Sequence, residues 1–120
     1  MDELIGRLVA NVGVDRLAAE KAVGIILDFL KKEGPADKVQ VLIDRIPGAE
    51  AALAAQQAEA GGMFSMGGIM GAGTKMMAAG LGMGQVQGVT REMLAFAREK
   101  AGEDAVGEVV GAIPGLSQFI

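Results

Sequence analysis

The sequence predicts an all-α fold, a small helical bundle of about six helices. Apolar residues recur with helical spacing along most of the chain, as at Val39, Leu42, Ile43 and Ile46. Hydrophobic residues make up 51% of the 120 residues, but only 3% are aromatic, and those are all Phe. Small aliphatic side chains of this kind suit close packing between helices. The chain is long enough to form one domain with its own core.

Two helices are predicted from the N-terminus onward. The first has Asp2 as its N-cap and an apolar face. The residues of that face are Leu4, Ile5, Leu8, Val9 and Val12. Asp15 is expected to cap the second helix, which ends near Glu33 because Gly34 follows it. Since its apolar residues extend well beyond one stripe, we expect the second helix to be the most buried element.

Two shorter helices are expected next. Pro35 is a suitable first residue for the third helix. This helix should end at Ile46, because the residue before a proline is pushed out of the helical region. Residues 49–60 are a run of strong helix formers and predict a fourth helix. The residues expected to be buried in the whole bundle include Leu8, Ile26, Phe29, Leu42, Ile43, Ile46, Met93, Phe96, Val109 and Val110.

An internal repeat is predicted at an offset of 67 residues. Ile46-Pro47-Gly48 recurs as Ile113-Pro114-Gly115, and the apolar stripe of the third helix recurs with it. The recurring stripe is Val106, Val109, Val110 and Ile113. A repeated stripe with its terminator predicts two related helical hairpins. We therefore expect a first helical unit over 1–60, a Gly/Met-rich apolar connecting segment over 61–80 and a second helical unit over 81–120, all in one domain.

The connecting segment is the candidate functional region. Residues 61–85 hold six of the eight methionines and nine of the 19 glycines, with Lys75 as their only charge. Met adapts its shape to varied partners, and a small monomer does not normally tolerate so much exposed apolar surface. We expect a non-enzymatic module that self-assembles as a homo-oligomer or binds a helical protein partner. The predicted interaction surface is Phe64, Met66, Ile69, Met70, Met76 and Met77.

Two other interpretations of this segment stay open. Residues 61–84 are long enough to span a hydrocarbon core of roughly 30 Å, so the chain could be a membrane- or lipid-associated protein that inserts them. Lys75 opposes a full span, because a charge at the bilayer centre costs about 2.5–3.5 kcal/mol. Met63, Met66 and Met70 share one helical face, and their thioethers suit Cu(I). A core or adaptable-surface role for these methionines is the stronger interpretation.

Composition excludes several function classes. The chain has no Cys and no His, so it has neither a thiolate metal site nor the commonest general base and metal ligand. We expect no enzymatic activity and no cofactor. The net charge is −4 without a basic cluster, which excludes the usual electrostatic binding of nucleic acid. The acidic start Met1-Asp2-Glu3 does not resemble a signal peptide, so a cytoplasmic location is expected, with peripheral membrane association left open.

Most of the chain resembles a bacterial family of domains of unknown function, the VcgC/VcgE-like domains. The similar stretches are "VGVDRLAAEKAVGIILDFL", "IPGAEAAL" and "LGMGQVQGVTREMLAFAREKAGEDAVGEVV". Their most specific parts are Ile46-Pro47-Gly48 and Leu81-Gly82-Met83. The resemblance implies an all-helical fold and brings no activity or site residues with it. This chain differs from the family pattern in the second Ile-Pro-Gly, at residues 113–115.

Overall fold

The computed structural model describes residues 2–46, 48–60, 68–113 and 116, and every regular element in these ranges is an α-helix. The helices are α1 (Asp2–Asn11), α2 (Arg16–Glu33), α3 (Ala36–Arg45), α4 (Ala49–Ala60), α5 (Gly68–Ala78), α6 (Met83–Ala101) and α7 (Glu103–Ala112). The predicted all-α fold is confirmed. The described ranges hold seven helices rather than about six, and the additional one is α5, inside the predicted connecting segment. Glycine is a poor helix former, but α5 packs against both α2 and α6, and this packing outweighs its weak propensity.

The two long helices, α2 and α6, touch each other at the centre of the bundle. Helices α1, α3 and α5 each contact both of them. Helix α4 covers α2 and reaches α3, whereas α7 covers α6 and also packs on α3. Buried side chains from all seven helices join in one hydrophobic core.

The ends of α2 and α3 follow the predicted signals, but two predicted starts differ by one residue. Asp2 is the first residue of α1 rather than its N-cap, and Pro35 is the extended residue before α3, which begins at Ala36. Asp15 is at the N-cap position of α2, with extended backbone but no side-chain capping hydrogen bond. Helix α2 ends at Glu33, and the Gly34 N–H donates to the Leu30 carbonyl. Ile46 leaves α3 in an extended conformation, with φ −97° and ψ 111°, as expected for a residue that precedes proline.

The predicted core is confirmed for nine of the ten residues named above, and Val110 is only partly buried. Among the residues whose side chains are described, α2 has more buried positions than any other helix, ten in all. The prediction for α1 is wrong at Val9, which is 41% exposed. Leu4, Ile5 and Leu8 are the buried residues of α1, which packs against α2 and α6, and Val9 falls outside this buried set.

The described helices bear directly on the membrane interpretation. None of the helices in residues 2–46, 48–60 and 68–113 is both long and apolar enough to cross a bilayer. Helix α5 has 11 residues and is therefore about 16 Å long, roughly half the hydrocarbon thickness. Gly80, with φ 105°, then turns the chain before α6 begins at Met83. The predicted 24-residue insertion is thus interrupted by a turn in its second half.

Candidate functional site

Two turns that are far apart in the sequence meet at one end of the bundle. They are the α1–α2 turn (residues 12–15) and the α5–α6 turn (residues 79–82). The Gln85 side chain joins them, because its Oε1 accepts a hydrogen bond from the Gly82 N–H (2.8 Å) and its Nε2 donates to the Gly13 carbonyl (3.2 Å). Beside this link, Gly88 leaves so little room that a Cβ there would lie 3.2 Å from Val12 Cγ1. We call these two turns and the helix ends that flank them the turn junction.

Each turn depends on one glycine in the left-handed region. Gly13 has φ 83° and Gly80 has φ 105°, conformations that residues with a side chain rarely adopt. At the end of α5, the Leu81 N–H donates to the Met76 carbonyl (3.2 Å) and the Gly80 N–H donates to the Met77 carbonyl (3.0 Å). This is the Schellman pattern, in which the residue after the glycine packs on the helix end. Leu81 and Met76 are accordingly both buried.

The turn junction carries most of the exposed large apolar side chains among the described residues. Leu17, at the start of α2, is 72% exposed, and Met83, at the start of α6, is 59% exposed. Met77 in the last turn of α5 and Val9 in the last turn of α1 are 49% and 41% exposed. All four belong to the helix ends that the Gln85–Gly13 hydrogen bond brings together. One further residue of this kind, Val41, lies on α3.

The predicted interaction surface is only partly covered by the described residues. Met76 is 2% exposed and belongs to the core, whereas its neighbour Met77 is exposed. Phe64 and Met66 lie outside the described residues, and for Ile69 and Met70 the description includes the backbone but not the side chains.

The side chains of the three predicted Cu(I) ligands are not among those that the structure describes. Met63 and Met66 are not among the described residues, and Met70 is placed in α5 without its side chain. Among the described residues, no three His, Cys, Asp or Glu side chains group as metal ligands. The Cu(I) interpretation stays a prediction.

Leu17, Met83 and Gln85 were not predicted as site residues. Leu17 had a local signal, because the residues three and four positions later on the same helix face, Glu20 and Lys21, are charged. Gln85 had none, since its hydrogen bond to Gly13 joins residues 72 positions apart.

An ionic cluster on the surface ties α1 to α6. Both terminal nitrogens of Arg7 donate to the Glu99 carboxylate, one of them over 2.9 Å. This hydrogen bond lowers the pKa of Glu99 and raises the pKa of Arg7. Arg7 Cζ and Lys100 Nζ also lie 5.2 Å and 5.3 Å from the ring centre of the buried Phe96. The cluster is a structural link between helices.

The other buried polar groups have structural partners. Asp28 on α2 is 4% exposed, and its carboxylate pairs with Lys32 Nζ at 3.0 Å. Thr90 on α6 donates its hydroxyl to the Val86 carbonyl (2.9 Å). In the described part of the chain, no buried side-chain nitrogen or oxygen lacks a hydrogen-bond partner. These groups therefore do not point to a ligand.

No protein-family model, curated protein or solved structure matches this chain. The resemblance to the VcgC/VcgE-like domains therefore stays a prediction from the quoted motifs.

Proposed function

We propose that this chain is a non-enzymatic helical module that assembles with a second copy of itself through the turn junction. The observation that carries the proposal is the exposure of Leu17 and Met83, by 72% and 59%, beside two touching turns. Burying one such side chain against a partner stabilises a complex by roughly 1.5–3 kcal/mol. Exposed apolar residues within a polar rim are typical of association sites.

The charges around the turn junction favour a second copy as the partner. The first turns of α2 carry both signs close together, since Arg16 pairs with Glu20 at 4.0 Å and both Asp15 and Lys21 are exposed. A surface with both signs can complement itself across a two-fold interface. The net charge of −4 disfavours nucleic acid and anionic lipid surfaces as alternatives. A helical protein of another sequence is the second partner class, and the experiment below separates it.

The non-enzymatic part of the proposal rests on composition. Without His or Cys, the chain has neither the commonest general base nor a thiolate nucleophile. The paired carboxylates Asp28 and Glu99 are engaged by Lys32 and Arg7 in ion pairs that stabilise helices. Glu99 shares Arg7 with Glu3, so these carboxylates belong to a surface ionic cluster.

We further propose that the chain consists of two related helical units, each containing a long helix followed by a short one. If 67 is added to the residue numbers of α3 (Ala36–Arg45), the result is the range of α7 (Glu103–Ala112). The same offset carries α2 onto α6, which is one residue longer at its C-terminal end. Ile46 and Ile113, which follow the short helices, are both buried and have the same ψ of 111°. These coincidences support a duplicated unit.

The similarity between the two units also includes the turns that follow α1 and α5. Gly13 and Gly80, which are also 67 residues apart, both have positive φ. The residues that follow them, Val14 and Leu81, are both buried. We therefore propose that the second unit begins near Gly68, earlier than the predicted boundary at 81, and that α5 belongs to it. In this proposal the turn junction is the place where equivalent turns of the two units meet.

Sedimentation velocity of the full chain over a range of concentrations tests self-assembly. We expect the wild type to sediment as a dimer or a larger species. The double variant Leu17→Ser/Met83→Ser should shift towards the monomer, because it removes the two most exposed apolar side chains of the turn junction. Both positions are exposed, so the helical circular dichroism should be unchanged.

A matched pair of valines supplies the control. Val9 and Val41 are both 41% exposed, but only Val9 lies at the turn junction. We expect Val9→Ser to weaken assembly and Val41→Ser to leave it unchanged. An equal effect of the two substitutions would show that exposed apolar area alone drives association. A monomeric wild type at all concentrations would overturn self-assembly, and a monomer that binds an added amphipathic helix would indicate the other partner class.

Peripheral association with lipid is the second candidate function. The same exposed residues favour it, since Leu and Met side chains at one end of a bundle could enter an interface. Flotation with vesicles of a zwitterionic phospholipid tests it separately. Protein that floats with the vesicles, and does so less after Leu17→Ser/Met83→Ser, would favour lipid over a second copy.

A further inference from the structure

Four methionines with described side chains fall into two classes of exposure. Met77 and Met83 are 49% and 59% exposed, whereas Met76 and Met93 are each 2% exposed. Oxidation of the thioether needs access of the oxidant to the sulfur, so the two classes should differ in reactivity. The two accessible sulfurs lie on either side of the α5–α6 turn, within the turn junction.

The turn at the end of α5 determines why Met76 is buried and Met77 is exposed. Met76 and Met77 are neighbours in the sequence, but the Schellman hydrogen bonds hold Met76 against Leu81 inside the core. Met77 is one residue further round the helix, about 100° away, and faces solvent. Met83 is the first residue of α6, directly after the extended Gly82. The accessibility of both sulfurs therefore follows from the backbone of the junction.

We propose that Met77 and Met83 are oxidation sites through which a peroxide weakens self-assembly at the turn junction, an inference that rests on the proposed function. In the reaction, the thioether sulfur attacks one oxygen of hydrogen peroxide, the O–O bond breaks and an S–O bond forms. The second oxygen takes up the proton and leaves as water. Sulfur is oxidised by two electrons to the sulfoxide, and the peroxide is reduced by two electrons.

The product would change the surface without entering the core. A sulfoxide is polar and accepts hydrogen bonds, so it disrupts an apolar interface that a thioether would fill. Both sulfoxides would project into water in the separated chain, so they would leave the helices folded. The first turn of the junction carries Val9 and Leu17 instead, which peroxide does not oxidise. Oxidation would therefore act on one half of the junction only, and a methionine sulfoxide reductase would reverse it.

Peptide mapping by mass spectrometry after a limited dose of hydrogen peroxide tests the chemistry on the full chain, at a protein concentration low enough that the chains are dissociated and the turn junction is exposed. We expect sulfoxide to form at Met77 and Met83 at least about tenfold faster than at Met76 and Met93, since reactivity follows exposure. The comparison of Met76 with Met77 is internal, because the two residues are neighbours. Equal rates at the buried and exposed methionines would overturn the assignment.

Sedimentation of the oxidised protein tests the switch. We expect the dissociation constant of the wild type to rise by about tenfold or more. The variant Met77→Leu/Met83→Leu keeps apolar side chains of similar volume, so it should assemble before and after peroxide. All other methionines are present in both proteins and act as a common background. Loss of assembly in the oxidised Leu variant would overturn the role of Met77 and Met83.

The two readouts also separate this inference from the proposed function. If the untreated wild type is monomeric, the proposed function fails and the switch fails with it, while the mapping still decides whether Met77 and Met83 are the reactive methionines. If the untreated wild type assembles and the oxidised wild type assembles equally well, the proposed function stands and the switch is wrong.

Discussion

The two long helices, α2 and α6, touch at the centre of the bundle, but they differ in how much of their surface is buried. Helix α2 has ten buried residues and α6 has seven. The difference lies on the face of α2 that carries Gly24, Ile25 and Asp28. Helix α4 packs along α2. On α6, the residues 67 positions after Gly24 and Ile25 are Arg91, which is exposed, and Glu92, which is half-buried. A central position in the bundle therefore does not by itself determine how many residues of a helix are buried. Burial also depends on whether another helix covers the outer face.

The largest effects are expected from truncating the part of the core that both long helices share. Leu27 on α2 and Leu94 on α6 are each 1% exposed. Because each is buried in the hydrophobic core, Leu27→Ala and Leu94→Ala should each lower the free energy of unfolding by about 2–5 kcal/mol. Urea denaturation followed by circular dichroism measures both. A cost below about 1 kcal/mol at one site only would mean that one of the two helices is not part of the core.

A smaller loss is expected where the two long helices end differently. The residue after α2 is Gly34, whose φ of −96° is open to any residue, whereas the residue after α6 is Gly102, with φ 97° and ψ 153°. That second conformation is essentially restricted to glycine, and another residue there costs about 1–3 kcal/mol. Gly102→Ala should therefore destabilise the protein by this amount, although a Cβ at Gly102 would meet nothing within 4 Å. Thermal and urea unfolding would check it, and an unchanged stability would contradict the backbone assignment.

A gain in stability is expected at a glycine of the short helix that follows α6. Gly107 lies inside α7, is exposed, and a Cβ there would meet nothing within 4 Å. The residue 67 positions earlier, on α3, is Gln40, whose Nε2 donates to Asp44 Oδ1 over 3.0 Å. Gly107→Ala should raise the free energy of unfolding by up to about 1 kcal/mol, because alanine is the better helix former.

Gly88→Ala is the matched control for that substitution. It is also a glycine inside a helix, but its Cβ would lie 3.2 Å and 3.3 Å from the two methyl groups of Val12. We expect the gain in helix propensity to be offset there by crowding at the turn junction. Destabilisation by Gly107→Ala would instead indicate that the exposed face of α7 is covered in solution.

The sequence predicts the elements whose signals are local. Helices α2 and α3 begin and end at cap, glycine and proline signals, and α2 is correctly expected to be the most buried helix. Helix α5 was missed because glycine-rich sequence is a weak prior for a helix, and its packing against α2 and α6 cannot be seen locally. Val9 was misplaced for a similar reason, since helical spacing alone does not show where a contact between helices stops.

The candidate site is less predictable, because it depends on contacts between distant residues. The apolar character of the segment is plain from the sequence, but neighbouring Met76 and Met77 have opposite exposures that follow from the turn at Gly80. The junction itself needs the hydrogen bond from Gln85 to Gly13, which no local pattern indicates. Composition thus points to an apolar surface, and the fold decides which side chains form it.

The smallest effect is expected from the ion pairs near the C-terminal ends of the long helices. Lys32 pairs with Asp28 inside α2, whereas Glu99 on α6 pairs across to Arg7 on α1. The hydrogen bond from Arg7 lowers the pKa of Glu99 below its ordinary value of 4.5. A carboxyl group whose pKa is lowered by folding stabilises the protein above its unfolded pKa, and this contribution disappears as the pH falls through the folded value. Glu99→Gln should therefore reduce stability at neutral pH and have progressively less effect as the pH falls below about 4.

Urea unfolding of the wild type and Glu99→Gln at a series of pH values measures this dependence. The substitution Glu33→Gln, which removes the same charge from the last turn of α2, is the control for net charge. Because the pair is on the surface, added salt should shrink the difference between wild type and Glu99→Gln at neutral pH. A difference that stays constant down to pH values near 2 would contradict the ion pair, since the protonated carboxyl no longer attracts Arg7. It would also mean that Glu99 joins α6 to α1 by packing rather than by charge.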